Sequence, residues 1–351
     1  MSEPVATSRT GSALDRAKAL AARVEGQRAG EGSEHAAAAR CTDTQEEGRL
    51  QLSLGLRFEQ LNESRYPMPN SFARGGLFAA VKDGKAPRAM LREKTIVTTS
   101  QYDILYTGDQ LNQSDLDVLM ALLTHSRERP LGELVSFTAY SILRHMKWAL
   151  NAEGYQRLRE SLLRLQRAQV QISVKREGRR PIKFAGSFIN NFIEDDKRPI
   201  CADGDNDVGR SHWTLRFDGE LSRLFGDDQV TLGLWYFRRK VDGRMPLAQH
   251  LLSFYVTHKE PIPLTVAKLR ELSGTTEKNE SNFVIRLEKA LAKLVDIGFL
   301  KSFRIINDRR TSSMNYMVHV ERVDAETVAR LARAERDARG RELAAPSRLA
   351  A

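Results

Sequence analysis

The sequence predicts an α+β fold: one helix-rich unit in two tandem copies, behind a disordered N-terminal arm. Three observations lead there. An order of helix, short strand, helix, turn, helix and two extended runs occurs over about residues 109–193 and again over about 247–320. The 351 residues are 41% apolar, enough for real cores and suited to two domains. Residues 1–48 are rich in Ala, Gly, Ser and Glu and hold almost no large apolar side chain, so they have little with which to build a core.

Within the arm, Ser12 suits the N-cap of a short helix near Leu14–Val24, which has little to pack on. Residues 49–94 read as a linker with an irregular lead-in, because Pro67, Pro69, Gly75, Gly76, Gly84 and Pro87 interrupt scattered apolar residues. The β-branched and aromatic run 95–106 (TIVTTSQYDILY) reads as strands.

In the first copy, Leu116, Leu119, Met120 and Leu123 recur at helical spacing, giving a helix of about Ser114–Ser126. A short strand follows at Leu134–Phe137. Thr138 then caps a helix carrying Ile142, Leu143 and Met146. A turn through Asn151 and Gly154 leads to a longer helix, about Tyr155–Ala168. Two extended runs, Val170–Lys175 and Ile182–Ile193, flank the turn Glu177–Pro181.

In the second copy, Leu247–Thr257 is a helix ended by Pro261, and Ile262–Leu264 is a short strand. Thr265 caps a helix with Val266, Leu269 and Leu272, closed by Gly274. A long helix of about Lys278–Ile297 is closed by Gly298. Strands at Phe299–Ile306 and Met314–Val320 enclose a polar turn.

This is the order of a helix-turn-helix with a hairpin appended. Occurring twice, it predicts two tandem winged-helix domains, over 95–220 and 245–322, joined by a linker at 221–244 and followed by an Ala/Arg-rich tail at 323–351. The rival is a generic α+β pair with no role on DNA.

Charge supports a polyanionic partner. There are 55 Lys and Arg against 45 Asp and Glu, a formal net charge of +10. The excess is concentrated: residues 151–200 carry +5 and residues 301–351 carry +4. Other classes are disfavoured. No 18-residue stretch lacks charge, so no membrane span is expected, and the N-terminus has no secretory pattern. Cys41 and Cys201 are too few for a disulfide framework or a four-Cys zinc site, which suits a reducing cytoplasm. No phosphate-binding GxxxxGK[ST] motif occurs, since Gly84-Lys85 leads into Ala86. Asp203, Asp205 and Asp207 begin like a calcium loop, but Val208 and Thr214 stand where Gly and Glu are needed. The histidines form no metal-binding pattern. No catalytic residues, metal or cofactor are expected, and the chain does not read as an enzyme.

The helix near Lys278–Ile297 has two faces. Phe283, Leu287, Ala290, Leu291 and Leu294 make one apolar stripe. Asn279, Asn282, Arg286, Lys289 and Lys293 make another, with Glu277, Glu280 and Glu288 off it. Asn pairs with adenine and Arg with guanine in the major groove, while Lys suits phosphates. The bland reading is a solvated face. In the first copy, Arg157, Arg164 and Arg167 are expected to point outward. The hairpin carries Lys175, Arg176, Arg179, Arg180 and Lys183, matched in the second copy by Arg309 and Arg310. Trp235, Tyr236 and Phe237 beside Arg238, Arg239 and Lys240 suit either the stacking of single-stranded DNA or a linker packed into the core.

Gln51, Leu52, Ser53, Leu54, Gly55 and Leu56 form a short run of Gln and spaced apolar anchors. It resembles a peptide that docks on the bacterial sliding clamp, or else is the first edge of the folded region.

Several stretches together resemble the TrfA family of plasmid replication initiators: Pro67-Met68-Pro69-Asn70, Ala73-Arg74 with Leu77-Phe78, Pro87-Arg88, Tyr106-Thr107-Gly108 with Leu111, and the helix from Tyr155 with Leu162, Leu165 and Gln166. The likeness covers about residues 50–322. It implies two winged-helix domains that bind directly repeated origin sequences (iterons) and help open the origin. It also implies recruitment of host proteins: the replicative helicase, with the host initiator's help, and the sliding clamp. The family's clamp peptide is of the type QLSLF. Here Gln51 to Leu54 match and Gly55 replaces the aromatic, so Leu56 or Phe58 would have to fill that pocket. The expected partners are double-stranded and also single-stranded origin DNA, with a monomer–dimer equilibrium and a cytoplasmic, plasmid-associated location. The alternative is a tandem winged-helix transcriptional regulator, or autorepressor, without replisome contacts.

Overall fold

Side-chain caps fix where the helices begin. The structure, a computed structural model, describes Leu54, Phe58 and residues 61–84, 88–195, 212–226, 229–307, 316–324, 326–331 and 333–334. The N-terminal arm, both cysteines, the Asp203–Asp207 run, Arg309 and Arg310, and most of the C-terminal tail lie outside these residues. The carboxamide oxygen of Asn112 accepts from the backbone of Ser114 and Asp115 and opens α2 (Gln113–His125). Thr138 accepts from Ser141 N–H at 3.2 Å and opens α3 (Ala139–Met146). Asn151 accepts from Gly154 N–H at 2.9 Å and opens α4 (Ala152–Arg167). Thr265 does the same for α7 (Val266–Leu272) and Asn279 for α8 (Glu280–Asp296). Each cap satisfies an orphan N–H and contributes about 1 kcal/mol.

The first half is assembled from sheets that the local pattern only partly foreshadows. β3 (Tyr102–Asp109), β5 (Gln169–Val174) and β6 (Ile182–Gly186) pair antiparallel, with β2 (Met90–Ile96) on the outer edge of β3. The hairpin of the first wing is thus half of a four-stranded sheet. The expected run Ile182–Ile193 is broken at Ser187–Phe188. Phe188 is fully buried against Phe72 and Phe78, and β7 (Ile189–Asp195) leaves for a second sheet. There β8 (His212–Phe217) pairs with both β7 and β4 (Leu134–Thr138).

The lead-in, expected to be ordered but irregular, contains a regular strand pairing. Arg65–Pro69 forms β1 and pairs with β9 (Val230–Leu234), with Tyr66 opposite Gly233. A two-stranded ribbon tolerates Pro67 and Pro69 because their missing donors lie on an edge. Gly233 is required there, since a Cβ would lie 2.2 Å from the Tyr66 ring. A helical turn, α1 (Asn70–Ala73), follows β1 with all four residues buried. One hydrophobic core runs from Leu54 and Leu61 through these elements to Trp235.

The second half follows the expected order closely: α6 (Pro246–Val256), β10 (Leu264–Thr265), α7, α8, β11 (Leu300–Asn307) and β12 (Tyr316–Arg322). Its sheet has the order β10–β12–β11. A second core runs from Phe237 to Val318 and carries Val328 and Leu331 of the tail against it.

The stretch expected as a linker, 221–244, is folded. α5 (Trp235–Lys240) places Trp235 in the first core and Phe237 in the second, both under 4% exposed. For Trp235 and Phe237 the core packing holds, while Tyr236 is half-buried beside the second core. Other contacts tie the halves. Arg74 donates to Thr257 O at 2.6 Å, and Ala80 N–H donates to Ser273 O at 2.7 Å. Gly274, at φ +59°, ends α7, and a Cβ there would come within 2.9 Å of Gly76 O. Its lack of a side chain therefore serves both the helix end and the seam. Among the described residues, no helix is long and apolar enough to cross a membrane.

Candidate nucleic-acid interface

α8 presents its apolar stripe to the second core: Phe283, Leu287, Ala290, Leu291 and Leu294 are all buried. The opposite face holds Asn282, Ile285, Arg286 and Lys289 exposed, with Lys293 half-buried. Asn279 does not project from this face as a free side chain. It is the N-cap, and its Oδ1 accepts from Asn282 N–H at 3.0 Å. Its carboxamide oxygen is therefore committed to the helix end, though the residue is exposed. Lys293 pairs with Asp296 at 2.7 Å, which holds that carboxyl below the usual range.

The stripe is also less free of acids than its spacing implies. Arg286 Nη1 lies 3.3 Å from Glu277 Oε2. Glu277 is brought there by the turn before the helix, where its Oε1 accepts from Asn279 N–H at 3.1 Å. Helical spacing reaches only the residues of the helix, so a carboxylate folding back from the preceding turn is invisible to it.

In the first half, Leu158, Leu162 and Leu165 face inward as expected, but two of the three arginines expected outward are engaged by carboxylates of other segments. Arg164 Nη2 lies 3.1 Å from Asp115 Oδ1, and Arg164 is 14% exposed. Asp115, wholly buried, also takes Arg88 at 2.6 Å and the Ser161 hydroxyl at 2.6 Å. Arg157 donates to the Ser114 hydroxyl at 2.6 Å and to Asp83 at 2.9 Å, and its guanidinium lies 3.9 Å from the Trp148 ring centre. Burial pushes the Asp83 carboxyl up, but Arg88, Ser114, Asn112 and Arg157 outweigh it and the net shift is downward. Arg164, with Arg88, thus pairs the buried Asp115 carboxylate, as a buried charge requires, while Arg157 is tied at the half-exposed rim to Asp83 and Ser114.

Arg167 is exposed at the end of α4. On the wing, Lys175 pairs with Asp103 at 2.9 Å and Arg176 Nε donates to Arg180 O at 3.0 Å. Arg179, Arg180 and Lys183 are exposed around Gly178, which sits at φ +67°. Arg309 and Arg310 fall outside the described residues. Among the described residues, no group of His, Cys, Asp and Glu is placed to hold a metal ion.

A family model described as TrfA protein matches residues 21–313. This chain belongs to the TrfA family. The plasmid replication initiator protein TrfA of Escherichia coli is 26% identical over 243 residues, covering 69% of this chain and 59% of that one. The chain thus matches less than two thirds of that relative's length. Among solved structures, domains 2 and 3 of RctB match at 14% identity over 72% of this chain and 98% of that one, with a TM-score of 0.45. The Pi initiator protein in complex with iteron DNA matches at 14% identity over 67% of this chain and 100% of that one, with a TM-score of 0.41.

In this TrfA-family chain, the helix face holds one residue that the charge pattern passes over. Ile285 is 51% exposed between Asn282 and Lys289. Its signal was the apolar residue that falls off the core stripe. The QLSLGL run lies mostly outside the described residues. Leu54, which is described, is 2% exposed in the first core, and Phe58 packs on that core. Leu54 is therefore held as part of the folded edge.

Proposed function

We propose that the chain is a plasmid replication initiator that binds repeated origin DNA (iterons) with both winged-helix units. The observation that carries this reading is the exposed face of α8, where Asn282, Ile285 and Arg286 sit in the first two turns with Lys289 behind them. The N-terminal turns of such a helix enter the major groove, and these side chains match adenine, thymine methyl and guanine edges. Arg167, Lys175, Arg176, Arg179, Arg180 and Lys183 of the first unit, with Arg309 and Arg310 of the second, grip phosphates. Membership of the TrfA family and the similarity to an initiator support the same reading. Origin opening would then draw on binding energy and DNA bending, with no nucleotide hydrolysed by this chain.

Recruitment of the host helicase, host initiator and sliding clamp belongs to the same proposal. Clamp docking through Gln51, Leu52, Ser53, Leu54 and Leu56 requires Leu54 to leave the first core. The test is footprinting on short direct repeats flanking the gene, followed by replication of a minimal plasmid carrying them. Protected repeats and a replicating plasmid support the initiator. Protected repeats without replication favour the tandem winged-helix regulator, and no protection removes both.

A further inference from the structure

The acid that folds back onto the reading face has a consequence for discrimination. Glu277 is held in place: its own N–H donates to Thr275 Oγ1 at 3.3 Å, and its carboxylate accepts from Asn279 N–H at the start of α8. A carboxylate at a helix N-terminus is favoured by the aligned peptide dipoles. The same carboxylate takes one N–H of Arg286, whose side chain is 51% exposed. Arg286 is thus a cation whose partner is already supplied.

We propose that Glu277 is a specificity-determining positioning residue, which holds Arg286 for a guanine edge and keeps it from backbone phosphates. The proposal rests on the DNA-binding reading above. A phosphate approaching Arg286 meets the fixed negative charge of Glu277 a few ångströms away, so like-charge repulsion opposes the exchange of one anion for another. A guanine edge is neutral. Its O6 and N7 accept from the free edge of the guanidinium while Glu277 keeps its own contact. Glu277 therefore penalises non-specific binding more than specific binding, which raises the ratio between them.

The experiment compares wild type, Glu277→Gln, Arg286→Ala and the double variant on a repeat duplex and on a scrambled duplex over a salt series. An exposed ion pair contributes little to folding, and Gln retains an acceptor for Asn279 N–H, so the fold of Glu277→Gln is expected to survive. On scrambled DNA, Glu277→Gln is expected to bind more tightly, with a log–log salt slope steeper by about one as Arg286 becomes free to neutralise a phosphate. The ratio of repeat to scrambled affinity is expected to fall by roughly tenfold, the scale of one bidentate base contact. In the Arg286→Ala background the same change is expected to leave the salt slope unaltered. If Glu277→Gln keeps the wild-type slope and ratio while wild type still prefers the repeat, the inference fails alone. A wild type with no preference for the repeat overturns the DNA-binding reading and this inference together.

Discussion

The buried guanidinium of Arg238 meets the carboxylate of Asp117 at the seam of the two cores. Arg238 comes from α5 and Asp117 from α2, and Arg238 is 4% exposed. The other guanidinium donors reach Gln249 O at 2.7 Å and Ser253 Oγ at 3.2 Å on α6, and Gln113 O at 3.0 Å on α2. One side chain thus bonds to a helix of each half. Burial raises the Asp117 carboxyl, and the Arg238 charge opposes it. Removing one partner leaves the other buried and uncompensated. Arg238→Met is expected to lower stability by about 3–5 kcal/mol in urea unfolding. Arg238→Met with Asp117→Leu is expected to recover part of that loss, because no orphan charge remains. A double-variant loss equal to the sum of the separate Arg238→Met and Asp117→Leu losses would show that the pair is not coupled.

The first unit separates into cations that hold the fold and cations that face outward. Arg164→Ala removes one of two arginine partners of the buried Asp115 carboxylate, Arg88 remaining, and is expected to cost about 1.5–3 kcal/mol of stability, leaving the salt dependence of DNA binding unchanged. Replacing exposed Arg179 and Arg180 with Ala is expected to do the reverse: stability within about 0.5 kcal/mol of wild type, and a salt slope shallower by about two. A slope that changes with Arg164→Ala, in protein shown to be folded, would return that residue to the interface.

Ile285 tests whether apolar contact contributes to recognition. Because it is exposed, Ile285→Ala is expected to change stability by less than about 0.5 kcal/mol. On a repeat duplex it is expected to weaken binding by about 1 kcal/mol, and replacing thymine by uracil, which lacks the methyl group, is expected to have the same effect on wild type at one position. Equal responses to uracil in wild type and variant would place Ile285 off the DNA.

His250 gives a pH signature. Burial, then the Arg238 charge, pulls its pKa from the ordinary 6.5 down to about 4, against a smaller upward pull from a hydrogen bond with the Phe78 backbone. The unfolded chain therefore binds this proton more readily than the folded one. Stability is fully present above about pH 6.5 and is lost as pH falls towards 4, by about 3 kcal/mol at most from this group. His250→Gln is expected to flatten unfolding free energy against pH in that window, and an unflattened curve would assign the loss elsewhere.

Much of the architecture was legible along the chain because its signals are local. Thr138 and Thr265 cap helices where their spacing to the apolar stripes requires, and Gly274 and Gly298 end helices at positive φ. What escaped is long-range. Pairing of Arg65–Pro69 with Val230–Leu234 joins segments that carry no mutual signal in sequence, so the lead-in looked irregular and 221–244 looked like a linker. The partners of the arginines escape the sequence for a related reason. An arginine at a surface position of a helix reads as solvated unless the carboxylate it serves is known, and Asp115 and Asp83 come from other elements. Asn279 was placed at the right end of the right helix, but its side chain closes the cap.

The central claim is that α8 reads repeated DNA. Its most direct test is fluorescence anisotropy of wild type and Arg286→Ala on a repeat duplex and on its scrambled counterpart at matched salt. The account predicts a loss of about 1–3 kcal/mol on the repeat with relaxed discrimination at one base pair, and a much smaller change on the scrambled duplex. Identical isotherms for the two proteins on the repeat would contradict it.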